Sequence, residues 1–215
     1  MILSIGAAIM GDFSGQQVAS KQPSKLAALE SHWETQTNAP FVMFFIPDEE
    51  NERNLYEFGS IPGGLSLLAF HSTKAEVTGL KDIPKDERPP VFLTFVAFRI
   101  MVLLGGLFLL LTGVGWLLRN KLEDNPWYLR IMLYAIPLPY IAIQSGWIVS
   151  EVGRQPWIVY KLMKVSDAVS PIATSQVLPS LIAFILVYSL LGCAAYYLIF
   201  QFARKGPAPV KAGAE

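Results

Sequence analysis

VFLTFVAFRIMVLLGGLFLLLTGVGWLL, residues 91–118, is the stretch whose reading decides the fold. It carries one ionisable side chain, Arg99, and is closed by Arg119-Asn120-Lys121. A helix crosses a hydrocarbon core in about 20 residues, so this run is long enough to span a membrane with some tilt. Two further runs have the same character. Pro126–Ser150 holds only Arg130, near its start, and its Pro137 and Pro139 predict a kink midway. Gln176–Ala203 has no charge at all and ends at Arg204-Lys205. The expectation is an all-α membrane protein with three complete transmembrane helices, at 91–118, 126–150 and 176–203.

Composition agrees. Of 215 residues, 53% are hydrophobic and only 16% charged, too apolar for an ordinary soluble domain of this length. The formal net charge is zero, so nothing favours nucleic acid as a partner. That zero hides an asymmetry. Residues 1–90 carry seven Lys/Arg against twelve Asp/Glu, whereas residues 91–215 carry ten against five. The single cysteine, Cys193, lies in an apolar run, reads as a packing residue, and excludes both an internal disulfide and a cysteine-based metal site. Both histidines, His32 and His71, fall outside the apolar segments.

Upstream of residue 91 the chain is different. Residues 1–10, MILSIGAAIM, are apolar but too short to span, and they lack the basic start of a signal peptide. They read as the end of a truncated transmembrane helix. Residues 11–90 then form a large, irregular extramembrane loop, marked by the acidic cluster Asp48-Glu49-Glu50-Asn51-Glu52, the turn-like Pro62-Gly63-Gly64 and the closing Pro89-Pro90. Within it, Ser24–Glu34 places apolar residues at 26, 29 and 33, which suits one short amphipathic helix. Short basic connections mark the cytoplasmic side of a membrane. Arg119, Lys121 and Arg130 put the 119–130 connection there, and Arg204, Lys205 and Lys211 put the tail, 204–215, there too. The loop 11–90 and the connection 151–175 then face outward, although the latter also holds Arg154, Lys161 and Lys164.

Few residues carry chemistry. Glu151 ends the second spanning run and Arg154 follows three residues later, on the same face if the helix continues. A carboxylate at membrane depth is costly unless paired, ligated or facing a cavity, so the two are either a site or a helix-end ion pair. Trp147 and Trp157 fit an interfacial aromatic belt. Met101 is of a type that usually fills gaps in packing. Arg99, about two turns into an apolar helix, needs an anionic partner, and a lipid phosphate or a haem propionate would serve. Lys25 and Glu30 flank the loop helix and, by themselves, read as solvated charges.

Taken together, these residues resemble subunit I of the cytochrome bd quinol oxidases, across nearly the whole chain. The run Gly146-Trp147-Ile148-Val149-Ser150-Glu151-Val152-Gly153-Arg154-Gln155-Pro156-Trp157 is similar to the family's most specific signature, and Phe98-Arg99-Ile100-Met101 looks like a second. The resemblance implies that Glu151 is an axial ligand of the high-spin haem b, with Arg154 catalytic beside it and Trp147, Gln155 and Trp157 in the haem environment. It implies that Met101 is an axial ligand of the low-spin haem b, with Arg99 near that haem. GDFSGQQ at 11–17 and KLAALESHWET at 25–35 resemble the start of the family's outer quinol-binding loop, which makes Lys25 and Glu30 the quinol-binding pair. Ile136-Pro137-Leu138-Pro139 and Phe202-Ala203-Arg204-Lys205-Gly206-Pro207 follow the family as well.

The implied protein oxidises quinol at the outer face of a bacterial or archaeal cytoplasmic membrane. It reduces oxygen to water at paired haems, the high-spin haem b and a haem d or a second haem b in its place, and so builds a proton gradient. The family's subunit I begins with further helices that bring histidine ligands; neither His32 nor His71 replaces them. The chain therefore reads as the C-terminal portion of a short-loop member, active only as part of a complex; the implied partners are the N-terminal half of subunit I and subunit II, with room for a small accessory subunit. The alternative is a non-catalytic scaffold descended from the family.

Overall fold

Sustained hydrophobicity sets the long helices. A computed structural model describes residues 1–206, and three of its helices are long and apolar enough to cross a membrane. The first is α4 (Val91–Leu117), which begins directly after Pro89-Pro90. Among the described residues of α4 the buried ones are Val91, Thr94, Phe95, Ala97 and Leu111, so burial concentrates in the first two turns and most of the remaining surface is open. Its 27 residues amount to about 40 Å against a hydrocarbon core of about 30 Å. The first turns, covered by the loop, supply the surplus.

The second spanning run, Pro126–Glu151, is broken as its prolines predict. Neither Pro137 nor Pro139 can donate to the preceding turn, and the chain divides into α5 (Pro126–Ala135) and α6 (Leu138–Glu151). Helix α6 packs along α4. Helix α5 is tied to α4 by the buried Tyr128, whose hydroxyl donates to the Leu111 carbonyl at 3.0 Å, in space that Gly115 leaves open. The third run is α7 (Thr174–Lys205), which ends with Arg204 and Lys205 in its last turn, where cations complement the helix dipole. The chain divides into a unit of residues 1–168 and a second that begins at Val169 and contains α7. The remainder of the tail, 207–215 with Lys211, lies outside the described residues.

The loop is far more regular than its sequence suggests. Residues 1–10 do not end a helix: α1 (Ile2–Lys21) continues through Gly11 and Gly15, and Val18 and Ala19 dock it on the loop core. Helix α2 (Pro23–Leu29) opens with proline in its first turn, where a missing N–H costs nothing, and it stops short of the expected Glu34. The chain turns at Ser31, whose φ of 43° ends helical progress. Strand β1 (Gln36–Thr37) pairs later with β4 (Glu76–Val77), and Gly64–Phe70 forms α3 between Gly63 and His71, both left-handed.

A hairpin stands where irregular loop was expected, so the chain is mainly helical rather than wholly so. Strand β2 (Phe41–Asp48) pairs antiparallel with β3 (Arg53–Ile61), in a register that sets Phe44 opposite Phe58 and Pro47 opposite Asn54. The acidic cluster is its turn. The Asp48 carboxylate accepts from the Asn51 backbone N–H and side-chain amide at 3.2 and 2.8 Å. At the tip, Glu49 accepts from the Phe92 backbone N–H at the start of α4 at 2.6 Å, while Glu52 pairs with Lys85 and Arg88, each at 2.9 Å. A last small pair, β5 (Trp157–Val159) with β6 (Met163–Lys164), follows α6.

Candidate functional site

Helix α2 has only seven residues, too few to be stable alone, and its stability comes from packing on every side. Leu26 joins Ala19, Ala39, Leu65, Ala69 and Val77. Ala27 and Ala28 pack with Trp33, Leu80 and Val91. Leu29 meets Ala97 of α4 and Val149 of α6. Three clusters therefore fix one short helix, and the polar residues at its two ends, Lys25 and Glu30, are fixed with it.

Glu30 faces α4. Its carboxylate accepts from Arg99 Nη2 at 2.6 Å, and the same Nη2 donates to the Val42 carbonyl of β2 at 2.9 Å. Both side chains are close to fully buried, 7% exposed for Glu30 and 12% for Arg99. The guanidinium also lies over Phe41, Phe45 and Phe95, 4.8–5.7 Å from the ring centroids. Burial pushes the Glu30 carboxyl up to about 7, with Arg99 pulling the other way but not far enough to restore an ordinary value. The anionic partner that Arg99 requires is thus a side chain of the loop. Because the loop packs on the first turns of α4, Arg99 is enclosed by protein rather than open to its surroundings.

Lys25 faces α6. Its Nζ donates to the Ser150 carbonyl at 3.4 Å, and its stem lies against Gly153, where a Cβ would come within 3.3 Å of Lys25 Cε and 3.1 Å of Thr94 Cγ2. Burial lowers its pKa, the Glu151 carboxylate raises it and Arg154 lowers it again. Beyond it, Arg154 Nη2 donates to Glu151 Oε2 at 2.7 Å; Glu151 is the last residue of α6, Arg154 stands in the turn that follows, and both side chains are 40% exposed. Gln155 Nε2 donates to the Glu151 carbonyl at 3.2 Å.

Met101, two residues beyond Arg99, turns its sulfur toward α6: a Cβ at Gly146 would come within 3.2 Å of Met101 Sδ. Trp157 is buried under Lys164 and edge-on to Tyr160, whereas Trp147 stands exposed. His32 is buried and His71 contacts Asp12 and Gln16 on α1, so neither reaches the pairs just described.

The structure therefore sets Lys25 and Glu30 of the α2 segment beside Arg99 and the Glu151–Arg154 pair, keeps Met101 against α6 and Gln155 on the Glu151 carbonyl, and leaves Trp147 exposed. Sequence reasoning missed Val42 and Thr94, which carry no signal in isolation; Gly153 lay within the 146–157 signature but had no role of its own assigned. Among the described residues no cluster of three His, Cys, Asp or Glu side chains could hold a bare metal ion.

The arrangement of a short loop helix over two spanning helices has known counterparts. The family model for cytochrome bd terminal oxidase subunit I matches residues 1–207. The chain belongs to that family. Cytochrome bd ubiquinol oxidase subunit 1 of Bacillus subtilis (strain 168) is 37% identical over 94% of this chain and 46% of its own length. The cytochrome bd-II ubiquinol oxidase subunit 1 of Escherichia coli (strain K12) is 30% identical over 96% of this chain and 53% of its own. The bd oxidase structure from Geobacillus thermodenitrificans superposes with a TM-score of 0.80 at 37% identity, covering 96% of this chain and 47% of that one. The chain thus spans about half the length of the bd oxidase subunits it matches. The E. coli alignment runs over 275 positions, more than the 215 residues here, so that relative has insertions where this chain has none.

Proposed function

We propose that this chain forms part of the haem-bearing subunit of a membrane quinol:oxygen oxidoreductase, with quinol oxidised at the outer face and oxygen reduced to water. The observation that carries this reading is α2. One seven-residue helix sets Glu30 against Arg99, two residues from Met101, and Lys25 beside the Glu151–Arg154 pair. A quinol site and two donor-bearing helices thereby share one support.

The residues present fit haem. Met101 and Glu151 are single donors on separate helices and would each hold the iron of a haem, whose macrocycle supplies the remaining donors. Arg99 and Arg154 each keep a buried Nε without a partner among the described residues, which suits a propionate. Gly146 leaves the Met101 sulfur a bare helix surface. A low-spin haem b at Met101, a high-spin haem b at Glu151 and a third haem of d or b type would supply one-electron transfer and oxygen binding. The soft, neutral thioether suits electron transfer, and the hard carboxylate suits a high-spin iron.

Quinol oxidation yields two electrons and two protons. Glu30, with its carboxyl near 7, is matched to take a proton from a quinol hydroxyl at neutral pH, and the Lys25 ammonium is placed to donate a hydrogen bond to a quinol oxygen. With the loop 11–90 outside, those protons leave outward, while the protons that enter water come from the cytoplasm. This separation stores about 2.3 kcal/mol per charge per 100 mV. The proposed partners are the rest of subunit I, subunit II and a small accessory subunit, in a bacterial or archaeal cytoplasmic membrane.

Reduced-minus-oxidised spectra of the assembled oxidase test the ligands. Glu151→Ala should remove the high-spin haem b signal and Met101→Leu should alter the low-spin one; normal spectra in both would refute the assignments. Lys25→Ala and Glu30→Gln should raise the quinol KM or lower turnover with haem content intact, and unaltered quinol kinetics would refute the quinol site.

A further inference from the structure

Asn54, on β3, spends every polar position of its amide. Its Oδ1 accepts from Ser31 Oγ at 2.8 Å and from Trp33 Nε1 at 2.9 Å. Its Nδ2 donates to the Ser31 carbonyl at 3.1 Å and to Glu57 at 3.1 Å. Three of these four bonds grip the residues that directly follow Glu30. Ser31 is fully buried, and its positive φ is one that serine holds only where the surroundings impose it. That left-handed residue sets the direction in which the chain leaves Glu30.

We infer that Asn54 is a positioning residue for Glu30: by locking the turn at Ser31 it aims the Glu30 carboxylate at Arg99. Asn54 touches neither Glu30 nor Arg99 in any hydrogen bond, so it acts through the backbone. The opposite strand completes the device. Val42 on β2 presents its carbonyl to Arg99, so one hairpin holds both members of the pair, the carboxylate through β3 and the guanidinium through β2. Asn54 lies opposite Pro47, close to the hairpin tip that Glu49 and Glu52 anchor to the segment entering α4. The hairpin is thereby rigid where Asn54 needs it to be.

This inference rests on Glu30 serving quinol oxidation, and a double-mutant cycle in the assembled oxidase separates the two claims. Asn54→Ala should lower quinol kcat/KM by about ten- to a hundredfold, the cost of a misplaced group, with haem spectra unchanged. In a Glu30→Gln background the same substitution should add nothing, because the residue it acts through is gone. Defects that multiply, or an Asn54→Ala enzyme with unaltered kinetics beside an impaired Glu30→Gln one, overturn the role of Asn54. Unaltered kinetics in Glu30→Gln overturn the quinol-site reading instead, and the inference with it. Should Asn54→Ala not assemble, Ser31→Ala removes a single hydrogen bond and must show the same non-additivity.

Discussion

Replacing Arg99 with leucine should destabilise α2 by an amount that depends on pH. The Glu30 carboxylate is buried and its one counter-charge is Arg99 at 2.6 Å. Removing one partner of a buried pair costs about 3–5 kcal/mol, because the other is left uncompensated. Glu30 has an escape, since burial already raises it to about 7 and loss of the guanidinium raises it further. A carboxyl raised on folding contributes stability in its neutral form, fully present below its ordinary value and lost as pH rises through the folded one. At pH 6 the variant holds Glu30 protonated and forfeits the Arg99 hydrogen bonds to Glu30 and Val42 and the aromatic contacts, about 2 kcal/mol. At pH 9 the full penalty applies. Hydrogen exchange of residues 23–33 in the assembled oxidase, corrected for intrinsic rates, should quicken about 30-fold at pH 6 and about 1,000-fold at pH 9. Equal loss at both pH values, or none, would refute the electrostatic account of the pair.

Three further outcomes follow from the contacts. Lys85 and Arg88 hold the Glu52 carboxyl down to about 2, so the anchor at the hairpin tip is present above the ordinary carboxylate range and lost as pH falls toward 2. Exchange at residues 49–52 and 85–88 should rise through that window, and Glu52→Gln should abolish the transition. Gly146→Ala should crowd the Met101 sulfur and shift the low-spin haem spectrum while leaving the high-spin signal in place; an unshifted spectrum would mean that Met101 is not held against α6. Gly153→Ala, whose Cβ would come 2.5 Å from the Val149 carbonyl oxygen of α6 as well as close to Thr94 and Lys25, should displace the end of α6, weakening the high-spin haem signal and raising the quinol KM together, measured by reduced-minus-oxidised spectra and steady-state oxygen uptake.

The spanning helices were legible because hydropathy is a local property, and so was the break that Pro137 and Pro139 impose on the second. The Glu151–Arg154 pair was legible because it is local: the two residues are only three apart, and the turn that closes α6 brings them together even though the helix itself stops at Glu151. The loop was not. In β2 the run Phe41-Val42-Met43-Phe44-Phe45-Ile46 buries Val42 and Phe45 rather than alternate residues, so no clean period of two marks it, and the acidic turn looks like any solvated charge run. Helix α1 outlasts its apolar start because Val18 and Ala19 find partners far along the chain. The proximity of Lys25 to Ser150 joins residues 125 positions apart, and the Glu30–Arg99 bond joins residues 69 apart. Such pairs belong to the tertiary fold and leave no trace in any window of sequence. The family resemblance supplied their names one by one; their convergence on α2 came from the structure.

Because α2 touches two spanning helices through its opposite ends, the interval from Lys25 to Glu30 behaves as a ruler. One residue inserted between them would turn Glu30 by about 100° about the helix axis and advance it about 1.5 Å, parting it from Arg99 while Lys25 kept its place. Length variation such as that against the E. coli relative therefore has to fall outside this interval. An insertion library across residues 20–90 should show this interval as a gap in tolerance, bordered by stretches where the protein accepts extra chain.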